Sequence, residues 1–142
     1  MSVIKIIVAT HKNFIMPQDK ELYLPVHVGC EGKKDLGFQG DNTGDNISVL
    51  NPYYCELTGL YWAWKNLECD YLGLVHYRRY FTKKGVTYKD SINIDAVILD
   101  KDDIEKMLEV SNVIVPKKRK YYIETLYSHY AHTLDAGHLD LA

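Results

Sequence analysis

The chain has 142 residues, a net charge of −2, 46% hydrophobic residues and 25% charged residues, the values of an ordinary globular domain long enough to bury a core. So small a net charge draws the protein neither to nucleic acid nor to anionic lipid as a whole, and any polyanion or membrane contact has to be local. Three cysteines without a C-x-x-C pair (Cys30, Cys55, Cys69), an N-terminus without export-signal features and no apolar run of membrane-spanning length point to the reducing cytoplasm.

The first element is Val3–Val8, a β-branched, nearly continuous apolar run that reads as a buried, central, parallel strand ending at Thr10-His11. Tyr23–Val28 is a second extended piece. Its Pro25 cannot donate to a ladder, so an edge or irregular strand is expected. Gly29 to Ser48 carries five glycines and the polar tract Gly40-Asp41-Asn42-Thr43-Gly44-Asp45-Asn46, a loop long enough to suggest function. Asn51-Pro52 opens the clearest helix, with Asn51 as N-cap and Pro52 in the first turn. Tyr53, Leu57, Leu60, Tyr61, Trp64 and Leu67 recur at helical spacing on one face. Gly59 inside that helix implies close packing on a strand, since it costs about 1 kcal/mol against Ala.

Tyr71–Val75 is the next apolar strand and runs into His76-Tyr77-Arg78-Arg79-Tyr80-Phe81. After a loop from Lys83 to Asp95 come a short strand Ala96–Leu99 and a helix near Asp102–Val110 with an Asp102/Glu105 capping box. A strand Asn112–Pro116, the basic run Lys117–Lys120 and a helix Ile123–His132 complete the pattern. Alternating strands and helices argue for an α/β fold of three layers around a mostly parallel central sheet. Val3–Val8 and Tyr71–Val75 are expected as central neighbours, with the Pro52–Leu67 helix on one face. Ligands of such sheets sit beyond the carboxyl ends of the strands, where Thr10, His11, His76, Tyr77, Arg78 and Arg79 fall.

Arg78 and Arg79 carry the strongest local signal. Guanidinium groups present fixed, paired donors that suit phosphate; the plainer alternative is one solvated arginine and one paired with an internal carboxylate. If extended geometry persists, only one of the two points into the cleft, and the other is expected to pair with a carboxylate such as Asp41 or Asp45. Those two aspartates lie among amides and glycines, a composition that serves either a Mg²⁺ or Mn²⁺ site or simple turns. His129 and His132 stand three apart, with His138 beyond, but no further ligand completes a zinc motif. The chain has 12 Tyr against 3 Phe and 2 Trp; phenols suit sugar and nucleotide surfaces, and equally fill half-buried positions.

Four segments in order, Ile6–Lys12, Gly40–Ser48, Asn51–Asn66 and Gly73–Phe81, resemble a bacterial family long catalogued as a domain of unknown function and found with capsular polysaccharide and exopolysaccharide genes. Its members are regarded as glycosyltransferases, including galactosyl- and galactofuranosyl-transferring types. The resemblance implies a GT-A-like nucleotide-sugar transferase fold, with residues 1–142 forming the N-terminal portion of a transferase domain that continues beyond them. It implies a UDP-sugar donor, a lipid-linked oligosaccharide acceptor and a place at the inner face of the plasma membrane, where the basic run offers a peripheral contact. Thr10 and His11 would meet the nucleoside, with His76, Tyr77, Arg78 and Arg79 completing the donor site. Asp41, Asp45 and Glu56 are the unranked base candidates. The Asp-x-Asp metal motif of many such enzymes is replaced by His76-Tyr77-Arg78, leaving Mn²⁺ or Mg²⁺ dependence open. Two other readings stay beside this one: a shortened, non-catalytic nucleotide-binding module, and a metal-dependent phosphate-ester hydrolase built on the Asp41/Asp45 loop.

Overall fold

A computed structural model describes residues 1–86, 93–118, 120, 122–123 and 125–133. Its sheet contains β1 (Ile4–Thr10), β2 (Tyr23–His27), β3 (Gln39–Gly40) and β4 (Tyr71–His76) in the order β3-β2-β1-β4. Every pairing is parallel. The helices are α1 (Asn51–Tyr54), α2 (Leu57–Asn66), α3 (Lys101–Leu108) and α4 (Leu126–Thr133).

β1 is the spine because both of its faces are apolar. Ile4, Ile6 and Val8 point to one side and pack with Leu22, Tyr23, Val75, Ile98, Leu99 and Ile104. Ile7 and Ala9 point to the other and pack with Val26, Val28, Trp62 and Ala63. The period-two alternation of a strand thus divides one apolar run between two half-cores. α2 covers one face, and the segment leading into α3 covers the other. The three-layer parallel α/β architecture expected from the sequence is what the chain forms.

β1 and β4 are direct neighbours, in register from Ile4↔Tyr71 to Ala9↔His76, as expected. β4 is not central, however. Among the described residues no strand pairs with its outer side, and only Val75 of its six residues is fully buried. β2 departs from expectation in the opposite sense and lies inside the sheet despite Pro25. The Val28 amide donates back to Thr10 O, and the next-in-phase His27 carbonyl accepts from Asp41 on the β3 side. Pro25 shares the phase of His27, so its missing N–H faces β3. That strand is only two residues long and pairs with Val26 and His27, so no bond is lost.

The expected Pro52–Leu67 helix is two helices. Cys55 adopts φ 49°, a left-handed conformation uncommon outside glycine, and separates α1 from α2. Asn51 lies inside the first turn rather than capping it, and its side-chain amide donates to Cys55 O at 2.8 Å, bracing the break. The buried face is also rotated from the expected stripe. Thr58, Gly59, Trp62 and Ala63 face the sheet, whereas Tyr53, Leu57 and Trp64 are exposed. Tyr61 and Trp64 instead meet edge-to-face on the outer surface, with the Lys65 ammonium 3.8 Å over the Trp64 ring.

Two expected strands are absent. Ile94–Ala96 forms a 3₁₀ turn, and Ile98 makes an isolated bridge to Thr82; Val97, Ile98 and Leu99 are buried as packing residues, with no longer ladder among the described residues. Asn112–Pro116 is irregular, with Val113 and Val115 exposed. The capping box of α3 falls two residues earlier than expected. Asp100 accepts from the Asp103 amide at 3.0 Å and Asp103 accepts from the Asp100 amide at 3.2 Å. Lys83 selects this register by binding Asp100 at 2.7 Å and Asp103 at 3.5 Å, and its hydrogen bond holds the Asp100 carboxyl at a pKa of about 2. The last helix begins at Leu126 rather than Ile123.

Gly59 supports the sequence-based reading of a close approach. A β-carbon there would lie 2.6 Å from Val28 Cγ1 and 3.4 Å from Ile7 Cδ1. Alanine gains about 1 kcal/mol of helix propensity, while overpacking a filled core costs about 1–3 kcal/mol. Because Val28 and Ile7 are themselves buried, the second effect wins. Gly59→Ala should therefore destabilise the fold, with a lower urea midpoint at unchanged m-value; an unchanged or raised midpoint would show that α2 is free to shift.

Candidate functional site

The parallel register lines up the carboxyl ends of the strands. Thr10 stands beside His27, and the preceding Ala9 beside His76. Beyond β4 the chain reverses at once: the His76 amide donates to Arg79 O at 3.2 Å and the Arg79 amide to His76 O at 2.8 Å. Arg78 and Arg79 therefore do not continue an extended strand. They leave a two-residue turn whose corners are Tyr77 and Arg78.

That turn separates the residues of the motif. Tyr77 is buried, and its ring gathers His11 at 5.5 Å, Phe14 at 5.1 Å and His76 at 4.3 Å between centroids. It supports the site from beneath rather than offering a surface to a ligand. The Arg78 guanidinium lies 5.5 Å from the centre of the Tyr77 ring. Arg79 enters a cleft of about 500 Å³ together with Glu56, His76, Tyr80 and Phe81. Among the described residues neither arginine forms an ion pair, so the expected pairing with Asp41 or Asp45 does not occur.

Glu56 reaches this cleft because of the break at Cys55. It occupies the N-cap of α2 without capping the helix through its side chain. Its Oε1 lies 3.8 Å from His76 Nε2. Burial lowers the His76 pKa; Glu56 acts against this, while Arg78, Arg79 and His11 add to it.

The other two acidic candidates are placed elsewhere. Asp41 is fully buried and accepts four hydrogen bonds: from the Gly29 and Cys30 amides at 2.7 and 3.2 Å, Ser48 Oγ at 2.5 Å and Thr58 Oγ1 at 2.6 Å. With both oxygens doubly engaged, it has no lone pair to spare for a proton or a cation. Burial by itself raises this carboxyl, but the bonds from Ser48, Thr58, Gly29 and Cys30 outweigh it and hold its pKa below the usual carboxylate value. Asp45 accepts from Tyr61 Oη at 3.0 Å, and Asn66 binds its backbone. The loop therefore packs onto α2, with Thr43 accepting from Trp62 Nε1 at 2.9 Å. Its carboxylates do not fit a divalent-cation cage, which removes the basis for the hydrolase reading. Among the described residues no group of three or more His, Cys, Asp or Glu is arranged to hold a metal. His129 and His132 lie on α4, whereas His138, like Arg119 of the basic run, falls outside the described residues.

Thr10 is buried too, and its hydroxyl is turned back on the chain, donating to Lys12 O at 2.6 Å. It closes the strand end and leaves His11 exposed above it. His27, which sequence reasoning passed over as part of an apolar strand, is buried in the same row. Burial and then Lys33 lower its pKa. A histidine at the carboxyl end of a parallel strand was the signal available for it. No described helix is long and apolar enough to cross a membrane.

Residues 5–142 match a family whose description reads "Domain of unknown function (DUF4422)". No curated protein sequence matches the chain. Among solved structures, that of the bifunctional glycosyltransferase WbbM in its apo form is similar, with 38% sequence identity and a TM-score of 0.52. The likeness covers 75% of this chain and 19% of WbbM, so the chain spans about a fifth of that enzyme's length.

The four-donor environment of Asp41 makes a stability prediction. Asp41→Asn removes the charge and turns an NH₂ toward buried donors, which should cost about 2–4 kcal/mol at pH 7. Because the folded pKa is depressed, the contribution of Asp41 is complete above the unfolded value of about 3.9. It is lost as pH falls through the lower folded value. Urea unfolding at pH 7 and pH 3 should show the parent losing part of its advantage over the variant in acid. Equal stabilities at pH 7 would remove Asp41 from its structural role.

Proposed function

We propose that this chain, which belongs to the DUF4422 family, takes part in moving a sugar from a nucleotide-activated donor to a saccharide acceptor. The observation that carries this reading is the cleft beside β4, where a guanidinium without an ion pair among the described residues, a carboxylate and an imidazole converge. The likeness to a bifunctional glycosyltransferase at 38% identity supports it.

Each group has a task in such a transfer. The leaving diphosphate develops negative charge, and Arg79 answers it with paired donors already held at the sheet edge. Of the three acidic candidates, Glu56 is the one whose carboxylate faces the cleft and remains available to accept a proton from an acceptor hydroxyl. His11, exposed at the end of β1, suits the nucleoside, and the buried Tyr77 ring packs against both His11 and the cleft residue His76. UDP-galactose or UDP-galactofuranose is the donor we infer, and a growing, lipid-linked surface polysaccharide the acceptor, met in the cytoplasm at the inner membrane face. A cation accompanying the diphosphate, Mn²⁺ or Mg²⁺, would be held chiefly by phosphate oxygens.

Calorimetric titration with UDP tests the reading. Arg79→Ala should weaken binding by about 1.5–3 kcal/mol, the worth of a charge-assisted hydrogen bond. Arg79→Lys should recover only part of it, because an ammonium keeps the charge without the fork. Arg78→Ala should weaken binding less, since its guanidinium rests near Tyr77. Repeating the titrations with Mn²⁺ reads the cation's contribution. Folded Arg78 and Arg79 variants that both bind UDP like the parent would make the arginines structural and sink the diphosphate assignment.

A further inference from the structure

We infer that His76 is a positioning residue, holding the Glu56 carboxylate in place to receive the acceptor's proton. This rests on the glycosyl-transfer reading above and adds to it a division of labour between two neighbouring groups.

Backbone geometry assigns the tautomer. The Arg78 amide donates to His76 Nδ1 at 3.3 Å, so the lone pair is on Nδ1 and the neutral ring carries its proton on Nε2. That nitrogen is the one facing Glu56, 3.8 Å from Oε1. An Nε2–H cannot take a proton from a sugar hydroxyl, but it can donate to a carboxylate and fix its orientation. The separation is longer than a formed hydrogen bond, a spacing that commonly tightens when substrate closes a site.

The turn and one aromatic neighbour hold the ring. The reciprocal His76–Arg79 backbone bonds lock the turn, and the Tyr77 ring packs against it at 4.3 Å. Besides the Tyr77 phenol, the charged and titratable groups that act on it among the described residues are Glu56 from the start of α2, Arg78 and Arg79 from the turn, and His11 from the end of β1. Three of those four disfavour an imidazolium, and burial disfavours it further. His76 thus stays neutral near pH 7 and keeps Nε2–H as a donor.

In the transfer, the acceptor oxygen forms a bond to the anomeric carbon while the bond from that carbon to the diphosphate breaks. The electron pair leaves with UDP, and the hydroxyl proton passes to Glu56, which later returns it to solvent. His76 neither gains nor loses a proton.

Long-range ¹H–¹⁵N NMR of the imidazoles tests the assignment directly. His76 should show the Nε2–H tautomer, and Glu56→Gln should lower its titration midpoint further by removing the one favourable charge. The companion assay is UDP release from UDP-galactose with water as acceptor, followed against pH. Glu56→Gln should slow release roughly a hundredfold or more, as loss of a general base does, with UDP affinity kept. His76→Ala should lower kcat with little change in KM and shift the acidic limb of the pH profile, and His76→Gln, which retains a side-chain N–H, should restore part of the rate. An Nδ1–H tautomer, or a His76→Ala profile superimposable on the parent, overturns the inference while leaving UDP binding intact. Failure of the parent to bind UDP would overturn the transfer reading and this inference with it.

Discussion

A carboxylate sealed from water must satisfy all its acceptor sites inside the protein, and Asp41 does so by drawing on three separate parts of the chain. The Gly29 and Cys30 amides follow β2, Ser48 ends the long polar loop, and Thr58 belongs to the first turn of α2. None of these segments could drift without leaving a buried charge short of a partner, a far larger penalty than losing an exposed hydrogen bond. A stretch of glycines and short polar residues, which by composition alone would be mobile, is thereby fastened between strand and helix. The two short parallel bridges of β3 are a consequence of that fastening more than its cause.

The same constraint reaches the cleft by way of α2. Thr58 fixes where the helix begins, and Gly59 lets it press onto Val28 and Ile7. With its start pinned and its face set, the helix cannot absorb the residues before it in a continuous spiral, and Cys55 takes up the mismatch in a left-handed conformation. Glu56 is left at the N-terminus of α2, opposite the end of β4. The carboxylate and the imidazole meet because one element arrives from the sheet and the other from a helix that the buried aspartate holds in place.

How much of this was legible follows from which forces act locally. β1 and β4 could be read from apolar continuity, and the crossover from one to the other through a helix followed from parallel topology. The face of α2 could not be read from counting apolar residues. Tyr53, Leu57 and Trp64 make the stronger stripe, but a flat sheet accepts the face bearing Gly59 and Ala63, with Trp62 tucked at its side. Val97, Ile98 and Leu99 have the composition of a strand, yet they gain their burial without a ladder; composition reports the burial and not the hydrogen bonds. The role of Asp41 was hidden for a related reason. Asp, Asn and Gly favour turns and cation loops alike, and only the four donors, up to 17 residues away along the chain, decide between these readings. Arg79 was visible as a motif, but the turn that separates it from Arg78 depends on backbone bonds that no side chain announces.

The left-handed residue between α1 and α2 has a practical corollary. Cys55 is exposed, whereas Cys30 is buried and Cys69 half-buried, and burial raises the thiol pKa of the latter two first of all. Thiolate is the form that reacts with maleimides and iodoacetamides, so such reagents should modify this chain selectively at Cys55 without any cysteine being removed. A fluorophore or spin label attached there would sit one peptide bond from Glu56, at the joint between two helices. The natural sequence thus already contains an attachment point from which occupancy of the neighbouring cleft can be followed spectroscopically.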